Sequence, residues 1–442
     1  MAEPISSGRL EVDEAESEID RVQSPVLEAQ FNNLDLSGSP LDGGEKVRAK
    51  SFVENHVIAP LPRETEMEGG SGKQQQSQLL LHGHQTRKME VELYKQKLMN
   101  DLVMDDIDAG KSAQQLAMEE EEMATEEDNF TLKMCVWESI YGSMGCGRYE
   151  DTTLLSSMHF THLTPIPRLH DGVVAKTLQI FSIKIAEIKG GFEWPLFVYG
   201  MVAARDPIDY NHNLLFWRNS TMSQIVSKND PFLRLTGPSR AIMFNDPVQF
   251  EIQLRVEHRS MPRNRALISA THTFRAGLPG ECTICFENTF CKIELCMELV
   301  LESIQATICS VRVVKQGRRQ RIEHRCRVAC LTTSYTKHVN DAPCGEVVLL
   351  DPGRHATPQG SDGYLDLSRR VVSVEREGLL DVVVEAYSSS GVRTAQGHVF
   401  LAAKCFGFSQ KKFNVDDAEL EVTVAWSLLV GDKCRLLRPV MN

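Results

Sequence analysis

The chain has 442 residues, with 60 acidic side chains against 48 Lys and Arg for a net charge of −12, and it contains 12 cysteines. No run approaches the roughly 18 uninterrupted apolar residues of a membrane helix. Met1–Asp20 carries several carboxylates and no apolar segment of the kind a secretory signal needs. The expectation is therefore a soluble, intracellular protein of the cytoplasm or nucleus, whose cysteines stay as thiols.

Charge divides the chain. Met1–Asp128 holds 28 acids and 12 bases, which leaves 32 acids and 36 bases in the remainder. The first part has few aromatics, a Gln-rich patch (Gln74, Gln75, Gln76, Gln78) and an acidic run from Glu119 to Asp128. Such a composition buries too little apolar surface to offset the entropy of ordering, so residues 1–128 are expected to form a mostly disordered acidic arm. Within it, Val91, Tyr94, Leu98 and Leu102 recur at spacings of three and four. This predicts an amphipathic helix over residues 86–104, either transient or a docking element for a partner.

From Phe130 onward short apolar or alternating segments are broken by Gly, Pro, Asp and Asn. Leu178–Ile188 and Pro195–Ala204 are predicted strands paired through Gly190-Gly191, with apolar residues on both faces implying deep burial. In DPVQFEIQLRVEH, Val248, Phe250, Ile252, Leu254 and Val256 share one face, leaving Gln249, Glu251, Gln253, Arg255 and Glu257 on a face expected to meet water. Further strands are expected over Ile304–Val314, Arg325–Thr333, Glu346–Leu350, Arg369–Glu375, Leu379–Ser388, Gly397–Lys404 and Leu420–Leu429. Turns every ten to twenty residues favour an all-β antiparallel sandwich over alternating α/β units, as a single domain or two smaller ones across residues 129–442.

One stretch, Phe197–Asn219, packs Arg205, Asp206, Asp209, Asn211 and His212 between two apolar runs. Asp206, Asp209 and Asn211 supply the hard oxygen donors that calcium selects, although their spacing is not that of an EF-hand and turns favour Asp and Asn on their own account. Arg205 has Asp206 or Asp209 as an alternative, purely structural partner. Cys282, Cys285, Cys291 and Cys296 begin with a C-x-x-C pair and offer four soft ligands for zinc, or four small apolar side chains in a strand-like run. Arg318, Arg319 and Arg321, in a basic segment from Lys315 to Arg327, could attract an RNA backbone; without interleaved aromatics to stack bases, a solvated hairpin tip accounts for them equally. No phosphate-binding G-x-x-x-x-G-K[ST], H-E-x-x-H or G-x-S-x-G occurs. No catalytic residue and no cofactor is assigned.

Gly147–Pro165, Leu178–Asn219, Asp230–Leu254, Ile304–Ile308, Val328–Asp341, Glu346–Asp351 and Asp362–Glu375 together resemble a grass-plant domain-of-unknown-function family, number 6598. The resemblance runs from about Phe130 to the C-terminus and omits the acidic arm. That family is itself similar to the C-terminal part of jasmonate-induced ribosome-inactivating proteins, which implies a link to plant stress or defence and to translation. The family has no established reaction, so the resemblance carries over no catalytic residue. It implies a non-enzymatic module that binds an unknown protein partner through its loops, or a relative of rRNA N-glycosidases acting on ribosomes or RNA. Strand lengths and the Asp-bearing loop also fit a calcium- and lipid-binding type of sandwich, an analogy of fold alone.

Overall fold

The computed structural model describes residues 113–162, 172–257, 265–275, 280–316, 325–333, 345–351, 361–388 and 390–431. The helix expected over residues 86–104, and all of the arm before residue 113, lie outside the described residues. Among the described residues a long helix, α1 (Ala113–Trp137), comes first. The strands that follow are β1 (Gly172–Val173), β2 (Ala175–Ile188), β3 (Leu196–Arg205), β4 (Asn213–Arg218), β5 (Gln224–Val226), β6 (Ile242–Met243), β7 (Val248–Val256), β8 (Arg265–Phe274) and β9 (Gly280–Glu287). They continue with β10 (Cys291–Lys315), β11 (Cys326–Thr333), β12 (Val347–Leu350), β13 (Val371–Glu375), β14 (Leu379–Tyr387), β15 (Arg393–Ala402), β16 (Phe406–Val415), β17 (Ala418–Ser427) and β18 (Leu429–Val430).

The architecture is all-β and antiparallel. A seven-stranded sheet runs in the order β16-β17-β10-β2-β6, with β9 and β13 also on β10. A five-stranded sheet has the order β4-β3-β7-β8 with β5 on β3, and a four-stranded sheet has the order β12-β11-β14-β15. Neighbouring residues of the largest sheet point into different cores, as strand alternation requires. Ile180 and Ile242 join a core shared with the five-stranded sheet, while Phe181 and Met243 join one shared with the four-stranded sheet. The centre of the seven-stranded sheet thus contributes to both cores. The apolar residues of β2 change parity because the register shifts between Ile180 and Ser182, which leaves Leu178, Ile180, Ile183 and Ile185 in one core and Phe181 in the other. Each fully buried Ile or Phe contributes on the order of 1.5–3 kcal/mol.

The strand β10 enters both cores. Cys291, Ile293, Leu295, Met297 and Leu299 pack in the first, and Ile304, Ala306, Ile308, Val311 and Val313 in the second. Between the two sets Glu302 takes a left-handed φ of 41° and the register on β2 shifts.

Two expectations need correction. Leu178–Ile188 and Pro195–Ala204 are both strands but do not pair: β2 lies against β10 and β6, whereas β3 lies against β4, β5 and β7. Gly190 and Gly191, at φ 62° and 80°, carry the chain from one sheet to another instead of closing a hairpin. The acidic run Glu119–Asp128 is helical, so residues 113–128 belong with the β body. Glu119, Met123, Glu126, Phe130, Met134 and Trp137 fall at three- and four-residue spacings along one side of α1. That side meets the outer face of β7 and β8. Arg265 pairs with Glu119 at 3.1 Å, Arg255 pairs with Glu127, and Glu126 accepts the Ser269 N–H at 3.1 Å. Cations on the sheet therefore neutralise part of a run that, in isolation, would repel itself.

Candidate functional site

The connection from β3 to β4, residues 206–212, is built by its own side chains. Asp206 Oδ1 accepts the Ile208 N–H at 3.2 Å and Asp209 Oδ1 accepts the Asn211 N–H at 3.3 Å, local turns that Asp side chains favour. Tyr210 occupies the left-handed region at φ 56°. Its N–H donates to Asp206 O at 3.1 Å, and burial first, then neighbouring charges, push its phenol up to about 12. This segment reads as the sequence suggested, with a buried strand, a turn-rich link and re-entry into the core through β4.

Asp206 and Asp209 do converge, but on a guanidinium. Arg240 Nη1 donates to Asp206 Oδ2 at 2.6 Å, while its Nη2 donates to Asp206 Oδ1 at 2.8 Å and to Asp209 Oδ1 at 2.9 Å. Thr153 completes the group, accepting from Arg240 Nε at 3.1 Å and donating to Asp209 Oδ2 at 2.5 Å. Burial alone would lower the pKa of Arg240; the two carboxylates outweigh it and hold the guanidinium above its usual range. Asp206 Oδ1, Asp206 Oδ2 and Asp209 Oδ1 thus each accept from two N–H donors. Asn211 Oδ1 is buried and has no hydrogen-bond partner among the described residues.

Arg205 turns away from both aspartates. Its Nε donates to Glu251 Oε1 at 2.8 Å, its Nη1 to Tyr210 O at 2.8 Å and its Nη2 to Tyr149 O at 2.7 Å. The guanidinium lies over the rings of Tyr149 and Trp137, 4.2 and 4.6 Å from their centroids. Glu251 Oε2 accepts from Tyr149 Oη and from His212 Nε2, both at 2.7 Å. Because a carboxylate only accepts, the second contact puts a proton on His212 Nε2, and the adjacent Arg205 Nη2 is then a neighbour of that nitrogen rather than its donor.

Glu251 is fully buried at 0 % exposure, contrary to the water-facing position its strand alternation predicts. Alternation records which side of a strand a residue takes, not what covers that side. Here Trp137 at the end of α1 and Tyr149 in the following turn roof the outer face of β7. Burial would raise the Glu251 carboxyl, but the His212 hydrogen bond and the Arg205 charge more than offset it, leaving its pKa below the ordinary carboxylate value. For Tyr149, burial and then Glu251 raise the phenol, which stays protonated as a donor.

Glu251, Arg240, Tyr149, Trp137 and Thr153 were not legible as site residues. Arg205 and Glu251 are 46 residues apart, and Arg240 is 34 from Asp206, so no local spacing marks them. The four cysteines are dispersed instead of gathered. Cys282 and Cys291 turn inward with Ile284 and Ile293, whereas Cys285 is exposed on the other side of β9 and Cys296 packs towards the second core. Burial raises the Cys282 thiol and pushes Cys291 up to about 12, which opposes the thiolate that zinc requires. Among the described residues no group of three or more His, Cys, Asp or Glu is arranged to hold a metal ion. Arg318, Arg319 and Arg321 lie outside the described residues.

A cavity of about 10 Å³, the size of one water molecule, adjoins Arg240 and is lined also by Ile208, Met243, Gln305 and Leu429. Among the described residues no helix is long and apolar enough to cross a membrane.

A family model described as Domain of unknown function (DUF6598) matches residues 177–424, more than half of the chain. No curated protein matches. Among solved structures, the chain is similar to human GIVD cytosolic phospholipase A2 at 9 % identity, over 59 % of this chain and 33 % of that one, with a TM-score of 0.18. It is also similar to human GIVD cytosolic phospholipase A2 in complex with methyl gamma-linolenyl fluorophosphonate, at 8 % identity over 57 % and 32 % with the same TM-score. The chain spans about a third of the length of these structures, and an overlap that loose carries no argument.

Proposed function

We propose, from the premise that the chain belongs to the DUF6598 family of domains of unknown function, that it acts as a non-catalytic binding module. The observation that supports this reading is where the side chains go. The titratable groups that cluster in the sequence, Arg205, Asp206, Asp209, His212, Glu251 and Arg240, are buried and saturated with one another. A general acid or base has to reach a substrate proton, and a nucleophile has to reach a carbon or phosphorus atom. Bidentate, fully buried pairs instead fix a loop and hold an aromatic roof over a sheet. Some large apolar side chains take the opposite course: Trp217, Phe232, Phe400, Phe406 and Phe408 are exposed, Phe406 and Phe408 on one face of one strand, where a contiguous apolar patch would serve as a contact site.

In this reading the module serves a stress or defence response, as the resemblance to jasmonate-induced ribosome-inactivating proteins implies. Incubating the full chain with intact ribosomes tests it. No adenine is released, as chromatography of the supernatant will record. Time-dependent adenine release would overturn the non-catalytic reading and favour a relative acting on rRNA.

A further inference from the structure

The segment Lys404–Lys412, KCFGFSQKK, was not among the predicted strands, yet Phe406–Val415 is a ten-residue edge strand of the seven-stranded sheet, paired on one side to β17. Its pattern is inverted. Gly407, Ser409 and Val415 turn towards the sandwich, where Ser409 Oγ accepts from Trp426 Nε1 at 2.9 Å, while Phe406 and Phe408 are 46 % and 43 % exposed. Two phenyl rings exposed on one face, about 7 Å apart along the strand, cost hydrophobic free energy that core packing does not recover.

In the rows of the rings the neighbours on β17 and β10, Ser427, Ala425, Gln305 and Thr307, are buried, and beyond them the face opens across three strands. Directly paired residues share a side, so Gln410 lies beside Thr423 and Ser310, and Lys412 beside Glu421 and Arg312. Arg312 covers the ring of the exposed Tyr364 at 5.1 Å. His162 lies 5.3 Å from Phe408 and extends the aromatic end. Lys404, Lys412 and Arg312 outnumber Glu419 and Glu421 here; the Lys404 ammonium bonds to the neutral carbonyl of Phe408, and Lys412 forms a solvent-exposed pair with Glu419 at 3.4 Å.

We propose that this face of β16, with Phe406 and Phe408 as stacking rings, Gln410 and Thr423 as polar readers and Lys404, Lys412 and Arg312 as phosphate contacts, binds single-stranded RNA. Aromatics at alternate positions of an exposed strand, separated by glycine and preceded by a cation, are what base stacking on a sheet requires. The order Lys404-x-Phe406-Gly407-Phe408 follows the K/R-G-F/Y-G/A-F strand of RNA-binding sheets and departs from it at Cys405 and after Phe408. Gly407, at a left-handed φ of 87°, separates the two rings along the strand. Hydroxyl and amide groups beside the rings suit a strand carrying 2′-hydroxyls. A membrane-inserting site would instead present its aromatics on a protruding tip, not flat on a strand beside Gln and Thr. The proposal rests on the binding-module reading and names its partner.

Fluorescence anisotropy of the full chain with a labelled single-stranded RNA, the DNA of the same sequence, the RNA duplex and anionic phosphatidylserine vesicles tests it. The expected result is salt-sensitive binding that is tightest for single-stranded RNA. The F406S/F408S variant weakens it at least about fivefold per ring, and F406Y/F408Y keeps it. Circular dichroism checks that these exposed substitutions leave the fold intact. Equal affinity for the DNA or the duplex, binding to vesicles alone, no RNA binding, or RNA binding lost in R318A/R319A/R321A but untouched in F406S/F408S each overturns the assignment. None of those outcomes bears on adenine release, so the broader reading stands or falls separately.

Discussion

Two charged groups grow from one connection and are closed in different ways. Around Arg240 the partners are the oxygens of Asp206, Asp209 and Thr153, and the group is sealed by hydrogen bonds. Around Arg205 the partners are a carboxylate, two carbonyls and two rings, and the cover is α1 with the turn that follows it. The difference assigns different tasks. The first group shapes the loop between β3 and β4, and the second fastens the helix to the sheet.

The sharpest way to break the comparison is Arg240→Ala, which leaves Asp206 and Asp209 buried without a counter-charge. A loss of about 3–5 kcal/mol is expected in chemical denaturation, with α1 still helical. Trp137→Ala should cost roughly 3 kcal/mol and act on the other group. Hydrogen exchange will quicken in α1 and in Tyr149 while the Arg240 segment stays protected; equal loosening of both would mean that the groups are one. Glu251→Gln keeps the shape but weakens three charge-assisted bonds, for about 2 kcal/mol.

That variant also tests pH. The folded pKa of Glu251 is lowered, so its contribution is fully present above the ordinary carboxylate value near 4.3 and is lost as pH falls through the lower folded value. In acid titrations monitored by tryptophan fluorescence, the stability gap between the parent and Glu251→Gln should close at the acid end. A gap that widens on acidification would reverse the sign of the argument. The smallest effect belongs to Glu127→Ala, which removes a solvent-exposed pair with Arg255 and should cost under about 1 kcal/mol, less at high salt.

Much of the body was legible because one-sided burial writes a period of two. The strands β7 and β17 lie where Val248–Val256 and Leu420–Leu429 alternate. What failed did so for physical reasons. Glu251 has the alternation of a surface residue, and the helix that covers it is remote in sequence. Arg205 was offered its chain neighbours, although its partner is on an adjacent strand of the sheet. The helix α1 escaped because its contact face mixes Glu with Met, Phe and Trp, so charge hid the three- and four-residue spacing. The edge strand β16 escaped because its larger apolar side chains face outward. That inversion made it unreadable as core, and it is also what gives the strand a surface to offer.

The strand β10 has a consequence for how the molecule comes apart. One continuous backbone of 25 residues supplies five buried side chains to each core. Separating the cores would require severing its ladders with β2 and β17 on either side of Glu302. The layers are therefore expected to melt as a single cooperative unit, with one calorimetric transition for the described body. A boundary drawn at Glu302 would yield two fragments, each with an unpaired half-strand and neither with a complete interior.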